Sequence, residues 1–213
     1  MIFGKIEYLN LLPFHIFMKR FASTRENISM NYKKGVPSKI NQEFKSRRVD
    51  AAFISSVGAK SYKHIDLGII AKKEVLSVLV IPNKENKKDT DSATSNKLAD
   101  ILGLKGEVII GDKALRYYLE KKEHIDLAKE WHKRENLPFV FALLCYHKDK
   151  KLYKKIQHNF LKQQIKIPHY ILKQASKKTS ISSKDILHYL TFISYDLDIK
   201  AQKGLKKFYK KIG

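Results

Sequence analysis

The chain is poor in several features, and each shortage narrows what the protein can be. It has one cysteine, Cys145, in 213 residues, which excludes an internal disulfide and a cysteine-rich metal cluster. No run approaches the roughly 18 uncharged apolar residues of a membrane-spanning helix. Lys5 and Glu7 interrupt the first apolar stretch, so a secretion signal is not apparent. We therefore expect a cytoplasmic protein with no membrane partner.

Acidic residues are also scarce relative to basic ones. The 21 Asp and Glu residues stand against 43 Lys and Arg residues, and the formal net charge is +22. Such a charge is typical of nucleic-acid binding, but the lysines are spread along the chain and no nucleic-acid-binding motif accompanies them. A positive field also attracts small dianionic metabolites. We expect a small-molecule dianion as partner, no nucleic acid, and an oligomeric state that the composition leaves open.

Short apolar runs alternate with helical patterns along the chain, which predicts an α/β protein. Predicted strands or extended runs cover 3–8, 28–32, 49–54, 66–71, 75–81, 107–110, 124–131 and 139–146. Predicted helices cover 12–21, 37–47, 94–104, 113–120, 149–163, 167–177, 183–195 and 199–211. The charged stretch 83–91 resembles a boundary between lobes. We predict one lobe from residues 1–80 with about 147–213, and a second from about 81–146.

One polar run stands at the start of a predicted helix. Ser92, Thr94 and Ser95 precede an amphipathic segment, and hydroxyls and free N–H groups at a helix start can hold a carboxylate or a phosphate. No metal is needed for such a site. The alternative is that Ser92 or Thr94 only caps the helix.

Other polar residues follow or interrupt the predicted strands. In open α/β sheets ligands bind beyond the carboxyl ends of strands, so these residues predict a single cleft. They are Asn10, Ser55, Ser56, Ser77, Gly111 and Asp112.

Each of these residues also has a purely structural interpretation. Asn10 can be a turn residue, the Ser55-Ser56 pair can cap a helix, and Asp112 can cap the next one. Ser77 differs, because a hydroxyl inside the apolar run 75–81 must find a hydrogen-bond partner or face a cavity. Two aromatic residues, Trp131 and Phe139, can line the cleft or belong to the core.

Seven segments in order resemble one enzyme family, the chorismate dehydratases of the futalosine route to menaquinone. The match runs across nearly the whole chain. The segments are Gly4–Asn10 with Pro13, Val36–Asn41, Val49–Ala52 with Ile54–Ser56, Val75–Val78, Ser92–Ser95, Ile110–Leu115, and Asp126–Trp131 with Leu137–Ala142.

The resemblance implies a fold, a reaction and a mechanism without a metal or an organic cofactor. The fold is a two-lobed one like the type II periplasmic binding proteins, with the active site in the interlobe cleft. The reaction removes water from chorismate and gives 3-[(1-carboxyvinyl)oxy]benzoate, with no metal and no organic cofactor. A carboxylate of chorismate itself could serve as the base.

The resemblance also assigns expected roles to the candidate residues. Asn10 and Ser77 would contact the reacting part of the substrate. The remaining candidates would bind the substrate. They are Ser55, Ser56, Ser92, Thr94, Ser95, Gly111, Asp112 and Asn41. Asn41 is the weakest candidate, because it lies along a helix and can simply pack. Two other functions stay open: a non-catalytic protein that binds small carboxylates, and a later enzyme of the same pathway with a related fold.

Overall fold

The computed structural model describes residues 1–23 and 30–213. Within them the strands are β1 (Ile2–Lys5), β2 (Asn31–Lys34), β3 (Ala51–Ser55), β4 (His64–Ala71), β5 (Val78–Ile81), β6 (Glu107–Ile110), β7 (Ile125–Asp126), β8 (Phe139–Tyr146) and β9 (Ile193–Asp196). The helices are α1 (Leu12–Ser23), α2 (Pro37–Lys45), α3 (Ser56–Ala59), α4 (Ala93–Ile101), α5 (Gly111–Leu119), α6 (Leu127–Glu135), α7 (Lys150–Leu161), α8 (His169–Thr179), α9 (Ser183–Leu190) and α10 (Ile199–Lys211), with a 3₁₀ turn at Leu9–Leu11. Part of the predicted strand 28–32, residues 28 and 29, lies outside the described residues.

Six strands form the larger sheet, in the order β2-β1-β3-β8-β4-β9. The β1 strand pairs in parallel with β2 and β3, whereas β8 runs antiparallel to both β3 and β4. Because β1 and β3 run in parallel, their carboxyl ends meet at one edge, which brings Asn10 and Ser55 to the same side of the molecule.

The smaller sheet has three antiparallel strands in the order β6-β5-β7. The chain enters it through residues 72–77 and leaves it through residues 136–138, so two short crossings join the sheets. The predicted division at residues 81 and 146 does not follow this pairing: β5 belongs to the smaller sheet and β8 to the larger one. Pairing with β3 and β4 on both sides, rather than position in the sequence, fixes β8 in the larger sheet.

Two predicted elements are wrong in detail. The extended run 124–131 is a strand for only two residues, because the Asp126 carboxylate accepts hydrogen bonds from the N–H groups of Ala128 and Lys129 and starts α6 there. The predicted helix 183–195 ends at Leu190, and β9 follows. That strand pairs with the edge of β4, a long-range contact that helical periodicity cannot reveal.

Apolar packing joins the two sheets into one continuous core. Phe14 packs edge-on against Phe53 and Phe160 beside the larger sheet. Trp131 and Phe139 are fully buried and packed on each other, and neither lines the cleft described below. Both therefore belong to the core. None of the described helices is long and apolar enough to span a bilayer.

Candidate active site

A cleft lies between the two sheets, at the edge where Asn10 and Ser55 meet. It holds about 620 Å³ of empty space, a volume that includes the open solvent at its mouth. Polar and apolar groups share its walls. The lining residues are Ile6, Tyr8, Asn10, Leu11, Pro37, Phe53, Ser55, Ile69, Val75, Ser77, Val78, Ser92, Ser95, Ile110, Gly111, Phe141 and Ala142.

Six of the ten candidate site residues line this one cleft. The larger-sheet side supplies Asn10 and Ser55, and the smaller-sheet side supplies the rest. These are Ser77, Ser92, Ser95 and Gly111. The structure thus brings together residues that are up to 101 positions apart in the sequence, between 10 and 111.

Ser77 lies at the point where the chain enters the smaller sheet. It precedes β5 rather than interrupting it, since that strand begins at Val78. Its carbonyl oxygen accepts a hydrogen bond of 2.8 Å from the Gly111 N–H. The preceding residue, Leu76, has a left-handed backbone with φ of 61°, which is unusual for a bulky side chain.

The carboxylate of Asp126 holds this unusual backbone in place. One oxygen accepts hydrogen bonds from the N–H groups of Val75 and Leu76 at 3.0 and 2.7 Å, while the other starts α6. Burial raises the pKa of Asp126, opposed by its four backbone hydrogen bonds. Sequence reasoning gave Asp126 no role, although it falls in a segment that carries the family resemblance.

Three cleft serines share one arrangement. Each hydroxyl oxygen lies within hydrogen-bond distance of a second polar side chain, which lies behind the lining for Ser55 and Ser77 and within the lining for Ser95. The Ser55 oxygen accepts from the Asn41 amide at 3.0 Å, and the Ser95 oxygen accepts from the Ser92 hydroxyl at 2.7 Å. The Ser77 oxygen is 2.8 Å from the Tyr189 hydroxyl. A serine whose oxygen accepts a hydrogen bond from a neighbouring side chain can still donate its own proton to a ligand in the cleft.

Asn10 presents a different polar atom. Its side-chain oxygen is shielded from solvent and has no hydrogen-bond partner among the described residues. Its backbone oxygen accepts a hydrogen bond of 2.7 Å from Tyr195 in β9. A buried polar atom without a partner is costly, so the Asn10 amide is suited to pairing with a hydroxyl or a carboxylate in the cleft. Asn10 also sits in the 3₁₀ turn, so the turn interpretation and the lining position both hold.

The remaining four candidates lie outside the lining. Asn41 acts on Ser55 from behind. Ser56 is fully buried and donates to the Val140 carbonyl oxygen. Thr94 accepts from the Val57 N–H at 3.1 Å, and Asp112 accepts from the Leu9 N–H at 3.1 Å.

Two of these contacts join the elements on the two sides of the cleft. Thr94 connects α4 to α3, and Asp112 connects α5 to the turn that carries Asn10. A third link runs from the Ser38 hydroxyl to the Asp91 carboxylate at 2.9 Å. Asp112 therefore positions the Asn10 turn rather than capping α5 through a side-chain hydrogen bond. Burial raises its pKa, and the hydrogen bond from Leu9 opposes that shift.

The start of α4 confirms the capping interpretation for Ser92. Its hydroxyl oxygen accepts from the Ser95 N–H at 3.2 Å. The same hydroxyl donates to Ser95, which faces the cleft. Ser92 can therefore cap the helix while Ser95 contributes to an anion-binding site, because the Ser92 cap orients the Ser95 side chain.

Tyr8 was missed by sequence reasoning as a wall of the cleft, although it lies in the Glu-Tyr-Leu-Asn segment. Its ring packs against Gly111, where a Cβ would stand only 3.0 Å from the ring and where φ is +68°. The positive φ favours glycine, and a Cβ at this position would force the ring to shift. The Tyr8 ring therefore forms the wall of the cleft next to the Gly111 backbone.

The cleft is electrically neutral in its lining but lies in a basic protein. Every lining side chain described above is uncharged, while the chain as a whole carries +22. A ligand anion would therefore be held by O–H and N–H donors within a positive long-range field.

Comparisons with known proteins agree with this geometry. A family model described as menaquinone biosynthesis matches residues 1–106 and 96–213. A protein named chorismate dehydratase, from Campylobacter jejuni, is 49% identical over 215 residues, covering 99% of this chain and 96% of its own length.

Solved structures are similar in fold at low sequence identity. A crystal structure of an Archaeoglobus fulgidus protein superposes with a TM-score of 0.75 at 11% identity, covering 99% of this chain and 95% of its own. The periplasmic aliphatic sulphonate binding protein of Escherichia coli superposes with a TM-score of 0.57 at 12% identity, covering 100% and 87%.

The two sheets, their two crossings and the cleft between them define a protein of the periplasmic-binding-protein fold, as the sequence predicts. The family match and the 49% identical relative are more specific than the fold. The chain belongs to the menaquinone biosynthesis family.

Proposed function

We propose that this protein is a chorismate dehydratase that removes water from chorismate and yields 3-[(1-carboxyvinyl)oxy]benzoate. The observation that carries the proposal is the group of three serine hydroxyls, each hydrogen-bonded to a second polar side chain, that converge with Asn10 on one neutral cleft. The relative with 49% identity bears the name of this activity.

The cleft supplies what a dianionic ring needs for binding. Ser55 lies on one side and Ser95 on the other, so each can donate to a carboxylate, and the start of α4 adds its dipole. Apolar side chains such as Phe53, Val75 and Phe141 offer surfaces for the ring. Binding of this kind orients the substrate without a cation.

The proposed reaction requires few catalytic side chains. Loss of the ring hydroxyl and the adjacent proton forms an aromatic ring, which drives the elimination. The enzyme must hold the substrate and donate a hydrogen bond to the departing hydroxyl. Ser77 and Asn10 are our candidates for contact with the reacting part. We propose that no metal or organic cofactor takes part.

The base is proposed to be the enolpyruvyl carboxylate of the substrate. The neutral cleft lining supports this assignment, as does the use of both Asp112 and Asp126 as acceptors for backbone N–H groups. An analogue in which this carboxylate is esterified should still bind but not turn over. Turnover of the ester would contradict the assignment.

The proposed activity is tested directly with the purified full chain. Chorismate is incubated with the protein in chelator-treated buffer, and the aromatic product is followed by absorbance and mass. We expect a product one water lighter than chorismate, and none with heat-denatured protein. Tight binding of chorismate without conversion would instead favour a non-catalytic carboxylate-binding protein; the Escherichia coli protein of similar fold is named for binding aliphatic sulphonates. No interaction with chorismate would favour a later substrate of the pathway.

A further inference from the structure

A buried tyrosine stands directly behind Ser77. Tyr189 lies in α9, is 2% exposed, and places its hydroxyl 2.8 Å from the Ser77 oxygen. Ser77 is also 2% exposed and lines the cleft. The contact joins residues 112 positions apart, so it exists only in the folded chain.

The direction of this hydrogen bond follows from the partners of each group. In the part of the chain that the structure describes, the Ser77 oxygen is the one acceptor within reach of the Tyr189 hydroxyl. If Ser77 donated instead, the phenol proton would be buried without an acceptor, which is costly. Tyr189 therefore donates, and the Ser77 proton is left for the cleft. Burial raises the pKa of Tyr189, which keeps it a donor.

On the basis of the proposed function, we propose that Tyr189 is a positioning residue for Ser77. Its hydrogen bond fixes the rotamer of the serine and aims the serine proton at the reacting part of the substrate. Hydrogen bonds in such a chain strengthen one another, so the phenol also makes Ser77 a better donor. Tyr189 does not line the cleft itself, and it acts through the serine.

The test compares two phenol deletions of the same kind. Tyr189→Phe removes the donor behind Ser77. Tyr153→Phe is the matched control: Tyr153 is also 2% exposed, and its hydroxyl contacts the sulfur of Met1 at 3.0 Å, outside the cleft. We expect Tyr189→Phe to lower kcat about tenfold with KM within about twofold, the loss of one hydrogen bond. Tyr153→Phe should leave both constants unchanged.

A double-variant cycle separates positioning from a general structural role. If Tyr189 acts through Ser77, Tyr189→Phe should have no further effect on kcat when it is added to Ser77→Ala. Independent losses that multiply in the double variant would overturn the proposal. So would a kcat for Tyr189→Phe equal to that of Tyr153→Phe.

Failure of the proposed function would give a different result. If the wild-type protein binds chorismate without converting it, the dehydratase proposal falls, and the same cycle is measured as the Kd for chorismate by calorimetry. Tyr189→Phe and Ser77→Ala should then each weaken binding, with no added loss in the double variant. If the wild type neither binds nor converts chorismate, both proposals are overturned.

Discussion

Two regions on the smaller-sheet side of the cleft support their hydroxyl groups in different ways. On the α4 side, Ser95 is held by Ser92, three residues before it in the same helix start. At the entry to β5, Ser77 is held by Tyr189, which is 112 residues away. The α4 side is therefore organised by local chain geometry and the β5 entry by the packing of distant elements. This difference indicates that substitutions in a distant element, such as α9, can affect Ser77 and the proposed reaction.

The β5 entry also depends on a second distant group. Asp126 holds the N–H groups of Val75 and Leu76, fifty and more residues before it, whereas the hydroxyl that supports Ser95 belongs to the local cap of α4, Ser92. Replacements at Ser77, Asp126, α4 and Glu7 test this contrast, in order of decreasing effect.

Replacing Ser77 with alanine should give the largest loss of activity. We expect kcat to fall on the order of 100- to 1,000-fold, as for removal of one hydrogen-bond donor to a developing negative charge. The free energy of unfolding should fall by only about 1 to 3 kcal/mol, because the buried Tyr189 hydroxyl loses its acceptor. Steady-state kinetics with chorismate measures the effect. Ser46→Ala, an exposed serine at the end of α2, is the control, and an equal kcat for both variants would contradict a catalytic role for Ser77.

Replacing Asp126 with asparagine should destabilise the β5 entry. One carboxylate oxygen becomes an NH₂ group facing backbone donors, which we expect to lower the free energy of unfolding by about 2 to 3 kcal/mol. Urea unfolding measures the loss. Asp149→Asn alters an exposed helix cap at α7 and should lose less than about 1 kcal/mol. Similar losses in the two variants would show that the hydrogen bonds from Val75 and Leu76 to Asp126 contribute nothing to the free energy of unfolding.

Single replacements in α4 distinguish a residue that only stabilises the helix start from one that binds the substrate. Ser95→Ala should raise KM about tenfold, which corresponds to about 1.4 kcal/mol of binding. Thr94→Ala should lower stability by about 1 kcal/mol through loss of the Val57 contact, with KM within about twofold. Kinetics and thermal unfolding are measured on both. A normal KM for Ser95→Ala would restrict this helix start to a structural cap.

Replacing Glu7 with glutamine should have the smallest effect. Ion pairs with Lys178 and Lys34 lower the pKa of Glu7 to about 2, but the carboxylate is 35% exposed. Its stabilising contribution is present above the unfolded pKa of about 4.5 and is lost as the pH falls towards 2. We expect the variant to be less stable by under about 1 kcal/mol at pH 7.

The Glu7 measurement is urea unfolding at pH 7 and near pH 2. The difference from wild type should become much smaller at the lower pH, where a carboxyl with a pKa of about 2 is about half protonated. Glu85→Gln in an exposed loop serves as the control. A stability difference that persists unchanged at low pH would show that Glu7 acts through packing rather than charge.

Much of the local structure could be predicted from the sequence. The strand Phe139–Tyr146 has the predicted bounds, and β6 does as well, because each is a short apolar run with clear limits. Ser182 caps α9 by accepting from the Asp185 N–H, as its capping-box pattern indicates. These features depend on neighbours within a few residues.

The site was only partly predictable. Positions next to strands and the family resemblance predict Asn10, Ser55 and Ser77 as site residues, and all three line the cleft. Thr94 and Ser56 were placed in the binding set from their segments, yet their side chains contact backbone groups of the fold. Which face a hydroxyl presents depends on rotamer and packing, and neither has a signature in the sequence.

The amino-acid sequence is sufficient to predict the α/β class, most of the helices and strands, the uncharged hydroxyl-bearing candidate residues and the family. Three features are visible only in the folded chain: β8 returns to the larger sheet, Asp126 holds the β5 entry, and Tyr189 lies behind Ser77. Local propensity acts over a few residues, whereas these three features are contacts between segments from fifty to more than a hundred residues apart, and long-range packing alone selects them.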